Sequence, residues 1–271
     1  MPHATVNGVS LYYEVHGRGE PLLLIAGQGR DHRSWDFVRD DFAATHQVIV
    51  FDHRGTGLSD KPREPAYSTR GFAADTIALL DHLGIERAHA YGISMGGRIC
   101  QWLGIDHSDR IGALVLGCTT PGNAHGVPRP PEVDQHMANR PESLESAVQF
   151  LVEQMVSTGF AAKHPEYVRS IEDRYRNPIP EYARKLHYLA SEGHDTWDLL
   201  PKIAAPTLVI HGDSDFINPS PNAQLLADRI PGAELHIVPG GRHGYFVEFR
   251  EEASRAVIDF LRRHPIGASE A

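Results

Sequence analysis

The sequence predicts an α/β fold: a mostly parallel, doubly wound, eight-stranded sheet with a helical insertion. Three observations predict it. Short apolar runs alternate with amphipathic stretches. The runs are continuously apolar, as in strands covered on both faces. One interval, 121–205, has no good strand candidate. Strand–helix–strand alternation with short connections implies right-handed crossovers, which put helices on both faces of the sheet.

Taken in order, Asn7-Gly8 between Thr5-Val6 and the run Val9 to Tyr13 is a hairpin signal, so two antiparallel strands open the chain. Six further strand candidates are Leu22 to Ile25, Val48 to Phe51, Ala88 to Ile93, Ala113 to Leu116, Thr207 to Ile210 and Leu235 to Val238. Between Thr69 and Gly84, the residues Ala73, Ile77 and Leu80 share a helical face, and Gly84 stands where a C-terminal cap belongs. Met95 to Asp106, Asn222 to Ile230 and Glu251 to Arg263 also read as helices. The strandless interval opens with a Pro/Gly-rich loop and continues with helical patterns over Glu142 to Ser157, Pro165 to Arg176 and Glu181 to Glu192. Residues 1–120 and 206–271 therefore read as the core, and 121–205 as a cap inserted between two strands of one sheet.

Composition narrows the chemistry. Acids outnumber bases 35 to 26, for a net charge of −9, so the basic footprint of a nucleic-acid binder is absent. Cys100 and Cys118 are the two cysteines, which excludes a disulfide scaffold and a Cys-x-x-Cys zinc or redox site. No Walker, dinucleotide or His-Glu-x-x-His pattern appears, so neither a metal nor an organic cofactor is expected. No basic stretch followed by an apolar run marks a leader, and no apolar run is long enough to span a bilayer. The expected location is the cytoplasm, without membrane attachment.

Gly92-Ile93-Ser94-Met95-Gly96 matches Gly-x-Ser-x-Gly. In a chain with 25 glycines the match is weak alone; a strand before it and a helix after it give it weight. A serine hydroxyl needs a base, and the base needs a partner that fixes its tautomer. Among 17 histidines, His243 follows the last strand in Gly240-Gly241-Arg242-His243-Gly244, at the sheet edge that also carries Ser94. His211 lies within the end of its strand and reads as packed there. Asp215 lies far enough into the loop after the preceding strand to reach a cleft, whereas Asp213 reads as a turn-tightener. Gly117-Cys118-Thr119-Thr120, after another strand, offers no carboxylate. The candidate catalytic set is Ser94, Asp215 and His243.

From about Asn7 to the last helix, the sequence resembles the α/β-hydrolase fold superfamily. The resemblance rests on the Ser94 turn, on Leu22 to Gly29, and on Asp52-His53-Arg54-Gly55-Thr56-Gly57-Leu58-Ser59-Asp60, which is similar to the family's Asp-x-Arg-Gly-x-Gly-x-Ser stretch. It implies that the main-chain N–H groups of Gln28 and Met95 form an oxyanion hole. Many members carry His where this chain has Ala26, which leaves open what braces that loop. Asp52 and Arg54 read as an internal ion pair or turn lock rather than as catalytic groups. Cys118 reads as an apolar filler.

The resemblance implies a serine hydrolase acting through an acyl-enzyme on a small to medium, partly apolar ester or lactone, as enol-lactonase-like or methylesterase-like members do. Alternatives on the same framework are a hydrolase of carbon–carbon bonds in vinylogous diketones, a cofactor-free perhydrolase and a non-catalytic ligand receptor. Candidate pocket residues are Trp35 after the oxyanion loop and, from the insertion, Met137, Phe150, Met155, Phe160, Tyr182, Tyr188 and Trp197.

Overall fold

The computed structural model describes residues 2–138 and 143–267. Strands β1 (His3–Val6) and β2 (Val9–His16) form the opening hairpin. Asn7 and Gly8 both take positive φ, 47° and 77°, the pair of values a type I′ turn requires. Next come β3 (Glu20–Ile25), α1 (Arg39–Ala43), β4 (His46–Phe51), α2 (Thr69–His82), β5 (Ala88–Ile93), α3 (Met95–Asp106) and β6 (Ile111–Gly117). Among the described residues five helices follow without a strand: α4 (Pro131–Ala138), α5 (Leu144–Met155), α6 (Thr158–Lys163), α7 (Pro165–Arg176) and α8 (Glu181–Glu192). The sheet resumes with β7 (Thr207–Gly212), α9 (Pro221–Arg229) and β8 (Glu234–Val238), and α10 (Tyr245–Glu248) and α11 (Arg250–Arg263) close the chain.

The eight strands lie in the order β1-β2-β4-β3-β5-β6-β7-β8. Only the β1–β2 and β2–β4 pairings are antiparallel. Period-two alternation sends Leu23, Ile49, Ala90, Leu114 and Val209 to the face covered by α2, α3 and α9. It sends Leu22, Leu24, Val50, Tyr91, Val115 and Ile210 to the face covered by α1, α10 and α11. Six parallel strands therefore end at one edge, where ligands bind in open α/β sheets. Among the described residues no helix is long and apolar enough to cross a membrane.

Local chemistry sets the ends of elements. Ser68 accepts the Gly71 N–H at the start of α2, and Gly84, at φ 66°, closes it as Ile85 N–H donates to the Leu80 carbonyl at 2.9 Å. The helix expected from Glu142 begins at Leu144, capped by Ser143 and Ser146; Glu142 itself lies outside the described residues. Helix α4 is an addition to the sequence reading. Its Pro131 stands in a loop-like Pro-rich run, yet proline is well suited to a first helical turn, where its missing N–H costs nothing.

The loop after β4 is locked from two sides. Arg54 donates from Nε and Nη2 to both carboxylate oxygens of buried Asp75 on α2, each at 2.6 Å. Asp52 accepts the N–H groups of His32 and Leu58, both at 2.7 Å, and the His32 ring at 2.7 Å. Both residues lock that loop, one of the two roles the sequence suggests, but Arg54 takes Asp75 as its ion-pair partner and Asp52 takes His32 and Leu58.

Candidate active site

Ser94 sits between β5 and α3 at φ 57° and ψ −120°, a conformation that costs a non-glycine residue energy and persists only when its surroundings enforce it. They do so here: Ser94 N–H donates to the Gly117 carbonyl at 2.8 Å, and its own carbonyl accepts from Thr119 Oγ1 at 2.7 Å and from Gly97 N–H at 3.0 Å. The flanking glycines are required by space. A Cβ on Gly92 would stand 2.2 Å from the Gly96 carbonyl oxygen, and one on Gly96 would stand 2.1 Å from that of Ile25.

Asp215 and His243 come from the loops after β7 and β8. His243 Nδ1 and Asp215 Oδ2 lie 2.8 Å apart, with both residues buried. An ionised carboxylate only accepts, so this contact selects the tautomer that carries its proton on Nδ1 and its lone pair on Nε2. The other oxygen of Asp215 accepts the N–H groups of Ile217 and Asn218 at 2.8 and 2.9 Å. Burial alone would raise the Asp215 pKa, but the neighbouring His243 and His211, through their charge and their hydrogen bonds to the carboxylate, hold it below the usual carboxylate range. His211, fully buried, donates from Nε2 to the Asn218 carbonyl at 2.7 Å. Asp213 tightens the turn by accepting the Gly240 N–H at 2.8 Å. Burial pushes the Cys118 thiol well up, away from thiolate chemistry.

His243 and Ser94 border one cavity of about 100 Å³, with no hydrogen bond between them among the described residues. Gln28 lines the same cavity, and the Met95 N–H, first in α3, has no intrahelical acceptor. The brace missing at Ala26 is supplied by two histidines that the sequence reading passed over. His53 Nε2 donates to the Ala26 carbonyl at 3.3 Å. His187, on the inserted helix α8, donates from Nε2 to the Arg54 carbonyl at 2.8 Å and accepts the Gly29 N–H on Nδ1 at 3.4 Å. Burial lowers the pKa of His53 to about 4. Burial, and then the proximity of His53, lowers that of His187 to about 3, so both rings are neutral.

The insertion also holds the His243 loop. The last turn of α5 leaves carbonyls without intrahelical donors, and those of Gln154 and Met155 accept the N–H groups of His243 and Gly244 at 3.2 and 2.7 Å.

Of the expected pocket residues, Met137 and Met155 line the cavity; Trp35, Tyr182, Tyr188 and Trp197 do not. Trp35 turns into the core against Tyr91 and Phe246, while its neighbours Ser34 and Phe37 face the cavity. Tyr182 is spent on the loop after β4, donating to the Lys61 carbonyl at 2.7 Å beneath Arg63. Tyr188 is half-buried on α8, whose buried face is Ala183, His187, Ala190 and Ser191. Trp197 stacks on His125 and under Arg229. Phe150 and Phe160 likewise stack on His136 and His164. The wall also contains residues not foreseen, among them Leu151, Tyr167, Ile171, Ile217, Asn218 and Phe246, and the arginines 30, 33, 98, 129 and 174. Arg174 had a readable signal, since it continues the apolar stripe of Tyr167 and Ile171 at helical spacing.

Comparison with known proteins fits this geometry. Residues 20–249 match the family model described as alpha/beta hydrolase fold. The chain is 30% identical over 282 residues to "Putative carbamate hydrolase RutD" of Caulobacter sp. (strain K31), covering 96% of this chain and 98% of that one. The structure of the enol-lactonase from Burkholderia xenovorans LB400 superposes with a TM-score of 0.85 at 26% identity, covering 96% of this chain and all of the other (100%). Est816, described as an N-acyl homoserine lactone degrading enzyme, superposes with a TM-score of 0.82 at 33% identity, with coverage of 96% and 100%. The match across most of the chain, on a sheet of this order, makes this protein a hydrolase of the α/β hydrolase fold family.

Proposed function

We propose that the protein is a serine hydrolase of small carboxylic esters or lactones. The observation that carries the reading is the buried Asp215–His243 pair, whose ring borders the same cavity as Ser94. Ser94 Oγ attacks the acyl carbon and its proton passes to Nε2 of His243, while Asp215 holds Nδ1–H and stabilises the imidazolium. The Gln28 and Met95 N–H groups receive the charge that develops on the carbonyl oxygen. His243 then returns the proton to the leaving oxygen, and water repeats the sequence in reverse to release the acid. These transfers require Ser94 Oγ and His243 Nε2 to come within hydrogen-bond reach when substrate fills the cavity, as is common for catalytic hydrogen bonds. Segment 121–205 acts as the cap that selects substrate, since Met137, Leu151, Met155, Tyr167, Ile171 and Arg174 all come from it. The names of the carbamate hydrolase, enol-lactonase and N-acyl homoserine lactone degrading relatives support acyl transfer to water.

The test is Ser94→Ala with a short activated ester: turnover is expected to fall by about 10⁴-fold or more with the melting temperature retained. A fluorophosphonate is expected to label Ser94 in the wild type. Near-normal turnover in the variant overturns the reading.

A further inference from the structure

The chain carries a net charge of −9, yet among the described residues five arginines and no carboxylate line the cavity. Three of the five are accounted for. Arg33 pairs with Asp31 at 2.5 Å, and Arg129 pairs with Glu192 at 2.7 Å. Arg98 is buried against Thr120 Oγ1 and the carbonyl and hydroxyl of Ser191, where it ties α3 to the end of α8. Arg30 and Arg174 differ. Among the described residues neither forms an ion pair with a carboxylate, and Arg174 bonds only to the carbonyl and hydroxyl of Ser170 and, at 3.5 Å, to the hydroxyl of Ser34. The carboxylate whose charge acts on Arg174, that of Asp31, is already engaged by Arg33.

Resting on the serine-hydrolase reading, we propose that the natural substrate is an ester or lactone bearing a separate carboxylate, which docks on Arg174 with Arg30 beside it. Arg30 and Arg174 are both half-buried, and holding two partly desolvated cations close together without a counter-charge is costly. Burial, and then repulsion from Arg30, drives the Arg174 pKa down to about 9. An incoming carboxylate reverses both effects, and a planar guanidinium can grip it through two parallel hydrogen bonds. Phe37, Tyr167 and Ile171 line the same cavity and offer apolar surface to the uncharged, reacting part of such a substrate.

The experiment measures kcat/KM for two matched pairs, monomethyl adipate against methyl pentanoate and 4-acetoxybenzoate against its methyl ester. The first pair puts the carboxylate on the acyl side and the second puts it on the leaving group. In the wild type, the anionic member of at least one pair is expected to be preferred. In Arg174→Gln that preference is expected to fall by about 10- to 100-fold, and Arg174→Lys is expected to keep part of it. A wild type indifferent to the carboxylate in both pairs, or a preference that survives Arg174→Gln, overturns the proposal. Calorimetric titration with adipate reads the site without catalysis. Adipate binding that weakens at least about tenfold in Arg174→Gln supports the anion site even if no ester is turned over and Ser94 is not labelled, in which case only the serine reading falls. Hydrolysis of neutral esters with no adipate binding overturns the anion site alone.

Discussion

The Met155 carbonyl accepts the Gly244 N–H at 2.7 Å, so the last turn of an inserted helix is bonded to the residue that follows His243. Arg242 donates to the Glu153 carbonyl on the same helix end, and Ser157 N–H donates to Glu248 at 2.7 Å. The base proposed for catalysis is thus held by both the sheet and the insertion.

Asp215→Asn is expected to lower kcat by about 10³- to 10⁴-fold. The amide can offer N–H where the ring needs an acceptor, so it favours the wrong tautomer of His243 while leaving the volume unchanged. Steady-state kinetics beside a circular dichroism melt will separate lost chemistry from lost fold.

His187 acts as a positioning residue. Its replacement by Ala frees the Gly29 N–H and the Arg54 carbonyl, so the loop that carries Gln28 loosens. We expect kcat to fall by about 10- to 100-fold, with a smaller change in KM. A boronate that mimics the tetrahedral intermediate is expected to bind less tightly in the same proportion, a change that destabilisation of the fold alone would not produce.

The Arg54–Asp75 pair is buried and bidentate. Asp75→Asn or Arg54→Met leaves one charge without its partner, and each is expected to cost about 3–5 kcal/mol in urea unfolding. The double replacement Arg54→Met with Asp75→Leu is expected to recover much of that loss.

Acid is expected to destabilise the fold well above the carboxylate range. His53 and His187 have folded pKa values near 4 and 3, against an ordinary 6.5, and burial also drives His194 well below that value. Between pH 6.5 and about 4 the unfolded chain binds protons that the native state refuses, so stability falls as pH falls. Each ring contributes a slope of about 1.4 kcal/mol per pH unit. Asp215 works in the same direction but lower down: its contribution is present above the unfolded carboxylate value and is lost as pH falls through its depressed native value. Urea midpoints at pH 7, 6 and 5 will show the decline, and His187→Gln is expected to flatten it.

The strands and core helices were legible because each carries its own periodicity, and the Ser94 turn because steric contacts forbid side chains at Gly92 and Gly96. Asp215 and His243 were legible because parallel strands deliver their loops to a common edge. The pocket was much less so. Trp35 and Ser34 are adjacent in one short turn and face opposite ways, and only packing against Tyr91 decides which meets the cavity. Tyr182 and Trp197 looked like lining because aromatics often are, but neighbouring loops had already claimed their rings. His187 and Arg174 went unread for the opposite reason. Each is a polar residue on the inward face of an inserted helix, where periodicity alone predicts an apolar one.

The two bonds from the insertion, one to Gly244 and one through His187 to Gly29, limit how new specificities can be engineered. A transplanted lid of suitable shape but without an acceptor in the place of the Met155 carbonyl and an imidazole at position 187 would reshape the pocket and unseat the loops of His243 and Gln28 at once. Donor lids are best chosen for those two attachments first and for their lining second.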